Sequence, residues 1–128
     1  MHYCLGILFR RKNQCKFAIE EFEKALKLKH CHATILCLAS CNYRIGNLIE
    51  AEDYLERIIF EAFRENSTKI LHELVNDSTV LNEDLNLLFN YQWPWVLEKA
   101  RRNFRMMFLT FKNSWQMTVF FLKNVKYQ

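Results

Sequence analysis

Apolar residues recur along the first half of the chain at intervals of three and four, the spacing that gathers side chains on one side of an α-helix. Phe17, Ala18, Phe22, Ala25, Leu26 and Leu28 form one such stripe, with Glu20, Glu21, Glu23, Lys24 and Lys27 opposite. Glu20 to Lys24 and Glu23 to Lys27 are spaced four apart with the acid first, the favourable order on a helix surface. A second stripe of Ala51, Tyr54, Leu55, Ile58, Ile59 and Ala62 repeats the first. Further along, Ser67 is placed to cap a short helix ending near Leu74, and Asp77 or Ser78 to cap another ending near Phe89. Residues 91–95 break the pattern, and Pro94 suits the first turn of a following helix because its missing N–H has no partner to lose there. That helix sets Leu97, Ala100, Phe104, Met107, Phe108 and Phe111 against Lys99, Arg101, Arg102 and Arg105. Asn113 or Ser114 is expected to start a last helix with Trp115, Val119, Phe120 and Leu122 on its apolar face.

The chain has 128 residues, enough for one domain burying roughly two-thirds of its unfolded surface. Gly 2 and Pro 1 leave too few turn residues for an all-β fold, so the class is all-α with short polar turns. No apolar run reaches the ~18 residues of a membrane span. Five cysteines (Cys4, Cys15, Cys31, Cys37, Cys41) lack the spacing of a disulfide framework. Met1 leads into a mixed segment containing Arg10, Arg11 and Lys12 rather than a signal sequence, so a reducing intracellular compartment is expected.

A shift of 33 positions superimposes Leu5 on Leu38, Gly6 on Ala39, Asn13 on Gly46, Ala18 on Ala51, Phe22 on Leu55 and Ala25 on Ile58. Except for Ala25 on Ile58, large apolar meets large apolar and small meets small. Asn13 and Gly46 are the residue types that best tolerate a left-handed backbone, so each is expected to end one helix and turn the chain into the next. Small residues at Ala18 and Ala51 allow neighbouring helices to approach closely.

Leu5-Gly6, Phe9, Ala18, Phe22 and Ala25-Leu26-Lys27-Leu28 resemble the tetratricopeptide repeat. So do Leu38-Ala39, Tyr43-Arg44-Ile45-Gly46-Asn47-Leu48, Glu50-Ala51 and Tyr54-Leu55-Glu56-Arg57. The resemblance covers residues 2–63. It implies antiparallel helix-turn-helix hairpins stacked as a short right-handed solenoid with a concave face that binds a peptide. The chain departs from the family in its period, one short of 34, and in Lys29-His30-Cys31-His32, which replaces the usual proline. Asn42 stands where an aromatic is expected, and Ile58 where a small residue is. Members that bind chaperone tails use lysine and asparagine on the first helix of each unit; Cys4 and Cys37 stand there, so that clamp is not carried over. Two units are fewer than the three or so a solenoid needs. The chain is thus expected to belong to a longer array or to cap the stack with its second half. Residues 1–63 read as two hairpins, 64–93 as a decayed repeat or connecting helices, and 94–128 as basic aromatic C-terminal helices packed on the stack.

Charge is unevenly spread. The net +4 divides into a balanced stretch over 1–60, an acidic one with six acids against two bases over 61–94, and a basic one with seven bases against one acid over 95–128. His30, Cys31, His32, Cys37 and Cys41 have types that bind zinc, but no CxxC pair is present. They read as a polar turn followed by small core cysteines, with no metal or cofactor assigned. Glu50, Glu52, Asp53, Glu73, Glu83 and Asp84 read as solvated surface, and no catalytic group is assigned. The function expected is a non-enzymatic scaffold or adaptor holding a peptide or helix of another protein. Tyr3, Arg10, Leu36, Cys37 and Arg44 are the residues expected to line its inner face. The alternative gives binding to the basic helix of Lys99, Arg101, Arg102 and Arg105, directed at an anionic membrane or a calmodulin-like protein. Nucleic acid ranks last, since no recognition motif accompanies the modest charge.

Overall fold

The structure, a computed structural model, describes residues 1–65, 67–91 and 105–126. Every regular element among them is an α-helix: α1 (His2–Arg11), α2 (Cys15–Leu28), α3 (His32–Arg44), α4 (Leu48–Glu65), α5 (Lys69–Asn76), α6 (Asn82–Phe89) and α7 (Arg105–Lys126). The all-α expectation holds.

The two turns expected from Asn13 and Gly46 form as their residue types require. Asn13 has φ 61° and Gly46 φ 90°. At the first, Asn13 N–H donates to Arg10 O at 2.9 Å and Gln14 N–H to Phe9 O at 2.8 Å. At the second, Gly46 N–H donates to Tyr43 O at 3.2 Å and Asn47 N–H to Asn42 O at 2.8 Å. These paired bonds satisfy the carbonyls a helix leaves open at its end, and one left-handed residue after the helix makes them reachable. Each bond recurs 33 residues later, so the repeat in the sequence is also a repeat in the backbone.

Tight turns fold α1 back on α2 and α3 back on α4, and α2 also packs on α3. Ala18 and Ala51 are buried, as small residues at helix contacts should be. Phe22 is buried completely, with the Tyr3 ring tilted against it at 5.7 Å between centroids. Its ring fills the space over Gly6: a Cβ there would lie 2.6 Å from Phe22 Cε1 and 2.7 Å from Cδ1. Such overpacking costs about 1–3 kcal/mol, which outweighs the roughly 1 kcal/mol that Ala gains over Gly inside a helix. Gly6→Ala is therefore expected to lower stability by about 1 kcal/mol, measured from the urea midpoint. A rise would show that the Phe22 ring can withdraw. Charge pairing on α2 differs in detail from the expected spacing: Lys24 reaches Glu21 at 3.6 Å, and Glu21 also meets His2 of α1 at 2.6 Å.

Helix α3 is the centre of the molecule. Every residue from Ala33 through Asn42 is buried, with α2 and α4 against it and α5 and α6 covering it further. A helix apolar on all sides belongs inside, and no charged residue occurs between His32 and Arg44. Asn42, buried near the α3–α4 turn, donates its side-chain amide to Leu38 O at 2.8 Å.

The second half departs from expectation at two boundaries. Ser67 Oγ accepts the Lys69 N–H at 3.1 Å beside the start of α5, whose N-cap residue is Thr68. Asp77, however, starts no helix; it ends α5, its N–H donating to Leu74 O at 3.3 Å. Its carboxylate accepts the Thr79 N–H at 2.9 Å and the Thr79 hydroxyl at 2.5 Å, holding a turn. Helix α6 starts later, at Asn82, where Asp84 Oδ2 accepts the Leu81 N–H at 3.2 Å. The break expected at Asn113 or Ser114 is also absent, and α7 runs through both. Neither residue forbids helix, and the buried stripe Phe111, Trp115, Val119 and Leu122 keeps one phase only if the helix is continuous. This stripe packs α7 on α5, with Phe111 against Phe63 at 5.6 Å.

Candidate functional site

The residues expected to line an open inner face are largely engaged within the chain. Leu36 and Cys37 have no exposed surface, and Arg10 retains 4%. The Arg10 guanidinium pairs with Asp84, which is itself completely buried, donates to Cys37 Sγ at 3.5 Å and lies 3.5 Å from Glu83. Arg44 pairs with Glu83, and the Tyr3 hydroxyl meets that of Thr79 at 2.5 Å. Residues 77–84 thus engage three of the side chains proposed to hold a foreign peptide. The reading of Asp84 as solvated surface is corrected: it is the buried partner of Arg10.

Burial works against the Arg10 charge, but hydrogen bonding to Asp84 and its field outweigh this and raise the guanidinium pKa above its ordinary value. Burial pushes the Cys37 and Cys41 thiols up to about 12, so both stay neutral at physiological pH and lack thiolate character.

An open groove lies on the other side of α6. Its floor is Ala51 and Leu55 of α4 with Leu87 of α6, and its walls include Tyr43, Leu48 and Tyr91. It has a volume of about 740 Å³, within the range of sites that bind small ligands or side chains. Tyr43 and Leu48 stand half exposed at its mouth. The Tyr91 hydroxyl donates to Glu56 Oε1 at 2.7 Å. Burial, that hydrogen bond and the charges of Glu56, Glu52 and Asp53 all raise the Tyr91 phenol above its usual range. The acidic residues of the groove's own lining are Glu52 and Glu83. Of its residues, Glu83 pairs with Arg44 and lies 3.5 Å from Arg10, and Tyr43 precedes Arg44; the rest of the lining lies away from the positions expected to bind, because the groove depends on how α6 meets α4, far apart in sequence.

A third arrangement joins the α2–α3 turn to α4. His30 Nε2 lies 2.9 Å from Glu61 Oε1, His32 Nε2 contacts Glu61 Oε2, and the two rings meet edge to face at 5.2 Å. Among the described residues these three form the group of side chains that can jointly hold a metal ion. Cys37 and Cys41, considered with the histidines from sequence, lie in the core cluster with Phe22 and do not join them.

No protein-family model, curated protein or solved structure matches this chain. The resemblance to the tetratricopeptide repeat rests on the chain's own residues. No helix among the described residues is long and apolar enough to cross a membrane. Lys99, Arg101 and Arg102 of the basic helix lie outside the described residues, and Arg105 is the first residue of α7.

Proposed function

We propose that this chain is a non-catalytic protein-interaction module of tetratricopeptide type, a scaffold or adaptor that binds a peptide or helix of another protein. The 33-residue repetition of the left-handed helix-ending turn supports the repeat assignment, together with the succession of α1 on α2, α2 on α3 and α3 on α4. On this reading the hairpins stack as a short right-handed solenoid, with α5 to α7 as its cap. The inner face of α1 and α3 is taken by the chain's own residues 77–84, so the partner is assigned to the groove between α4 and α6.

The observation that carries this reading is an apolar floor open to solvent beside a negative rim. Tyr43, Leu48 and Leu87 offer apolar contact, while Glu52 and Glu83 in the lining favour positive charge. The ligand chemistry that fits is an amphipathic helix or peptide with an apolar anchor next to lysine or arginine.

Peptides selected on the immobilised full chain from a displayed random library should carry that pattern. Their affinity, measured by fluorescence polarisation, should fall at least about tenfold in Leu48→Glu and Leu87→Glu. Lys27→Ala, on the exposed side of α2, should leave it unchanged. Selection of no peptide, or equal binding to all variants, would refute the assignment of the groove.

A further inference from the structure

We propose that His30, His32 and Glu61 form a binding site for a divalent transition-metal ion, with zinc the best match. The inference is independent of the groove and of the repeat assignment.

The backbone sets up the histidine pair. Cys31, between them, has φ −149° and ψ 125°, and Lys29 before them is equally extended. In extended backbone residues i and i+2 point to one side, so both imidazoles leave the turn in the same direction. Glu61 comes from the fourth helical turn of α4, facing that segment, and puts one carboxylate oxygen against each ring. The three donor atoms lie within 4.8 Å of one another. A tetrahedral zinc ion with bonds of about 2.0–2.2 Å needs its donors roughly 3.4 Å apart, so small side-chain rotations suffice to admit it.

Donor chemistry selects the ion. Two neutral imidazole nitrogens with one carboxylate suit zinc and its transition-metal neighbours; calcium and magnesium require sets rich in oxygen. His32 and Glu61 are about one-fifth and one-quarter exposed, while His30 is 57% exposed, so the ion has an entry path. A hollow beside His30 and Glu61, also lined by Arg57 and Arg64, leaves room for water or an anionic group in a fourth position. Such an ion would fasten the α2–α3 turn to α4, bracing the two hairpins where the usual interrepeat proline is replaced.

The test is zinc titration of the full chain, stripped with chelator and kept reduced, by calorimetry at pH 7.5, with cobalt absorption as a second readout. One equivalent of zinc should bind and raise the melting temperature. His30→Ala/His32→Ala and, separately, Glu61→Gln should weaken binding at least tenfold with the helical circular dichroism unchanged, and Cys31→Ser should leave it intact. Glu61→Gln keeps the size of the side chain, so its loss of binding cannot be ascribed to misfolding. The proposal is overturned by no saturable binding at 100 μM zinc, or by histidine and glutamate variants that bind zinc as tightly as the unsubstituted chain. It is also overturned by a strong thiolate-to-cobalt band that Cys31→Ser abolishes, which would place the ion on cysteine.

Discussion

Asp84→Ala is expected to destabilise the protein by about 3–5 kcal/mol, the range for removing one partner of a buried ion pair. Asp84 has no exposed surface and Arg10 only 4%. Deleting the carboxylate leaves a guanidinium that burial has already separated from water, with Glu83 at 3.5 Å as the remaining acid beside it. The same substitution removes the acceptor for the Leu81 N–H at the start of α6, a capping contact of typically ~1 kcal/mol. Urea unfolding followed by circular dichroism measures the loss, and the melting temperature should fall by more than about 10 °C. The double variant Arg10→Met/Asp84→Leu separates charge from packing. Replacing both partners with apolar groups of similar volume should recover most of the stability, since the main penalty comes from a charge left alone. A loss below about 1 kcal/mol for Asp84→Ala would mean that Arg10 reaches solvent and that residues 77–84 are not docked on α1.

Trp115→Ala is expected to cost a similar amount, about 3–5 kcal/mol, through a large cavity in the core. Trp115 is completely buried and packs on Phe111 at 5.7 Å, which in turn packs on Phe63 of α4. These rings tie α7 to the same cluster that contains α3, α4, α5 and α6. If α7 completes the fold, the whole chain should unfold in one transition at a lower urea concentration. Phe120→Ala provides the comparison, because Phe120 is 69% exposed on the same helix and its removal should change stability by less than about 0.5 kcal/mol. Equal, small effects for both variants would show that α7 is not part of the cooperative core. Preferential tryptic cleavage in α7 of Trp115→Ala, with the remaining core intact, would show that it detaches as a unit.

Much of the first half was legible from residue types alone. The buried stripe of α4, the closely approaching Ala18 and Ala51, Phe22, and the turns at Asn13 and Gly46 appear where the pattern placed them, whereas Phe17 and Leu28, assigned to the α2 stripe, are exposed. The burial of α3 is also legible in its lack of charge from Ala33 to Tyr43, yet Leu36 and Cys37, expected to line an open inner face, are buried. In the second half, Asp77 and Asp84 exchanged roles: the first holds a turn, while the second caps α6 and pairs with Arg10. Both are ordinary capping types, so residue identity alone could not distinguish them.

By itself the sequence determined what depends on neighbours along the chain: helix class, apolar periodicity, and the turns in which one residue must accept positive φ. These follow from backbone sterics and from the 3.6-residue period, and neither needs a distant partner. Tertiary structure alone decided that Arg10 meets Asp84 across 74 positions, that Glu61 meets His30 across 31, and that α6 lies beside α4 to leave a groove. A carboxylate carries the same side chain whether it faces water, caps a helix or neutralises a buried arginine. Which of these it does is settled by the elements that close over it, since desolvation makes a charge valuable only beside the partner that packing supplies.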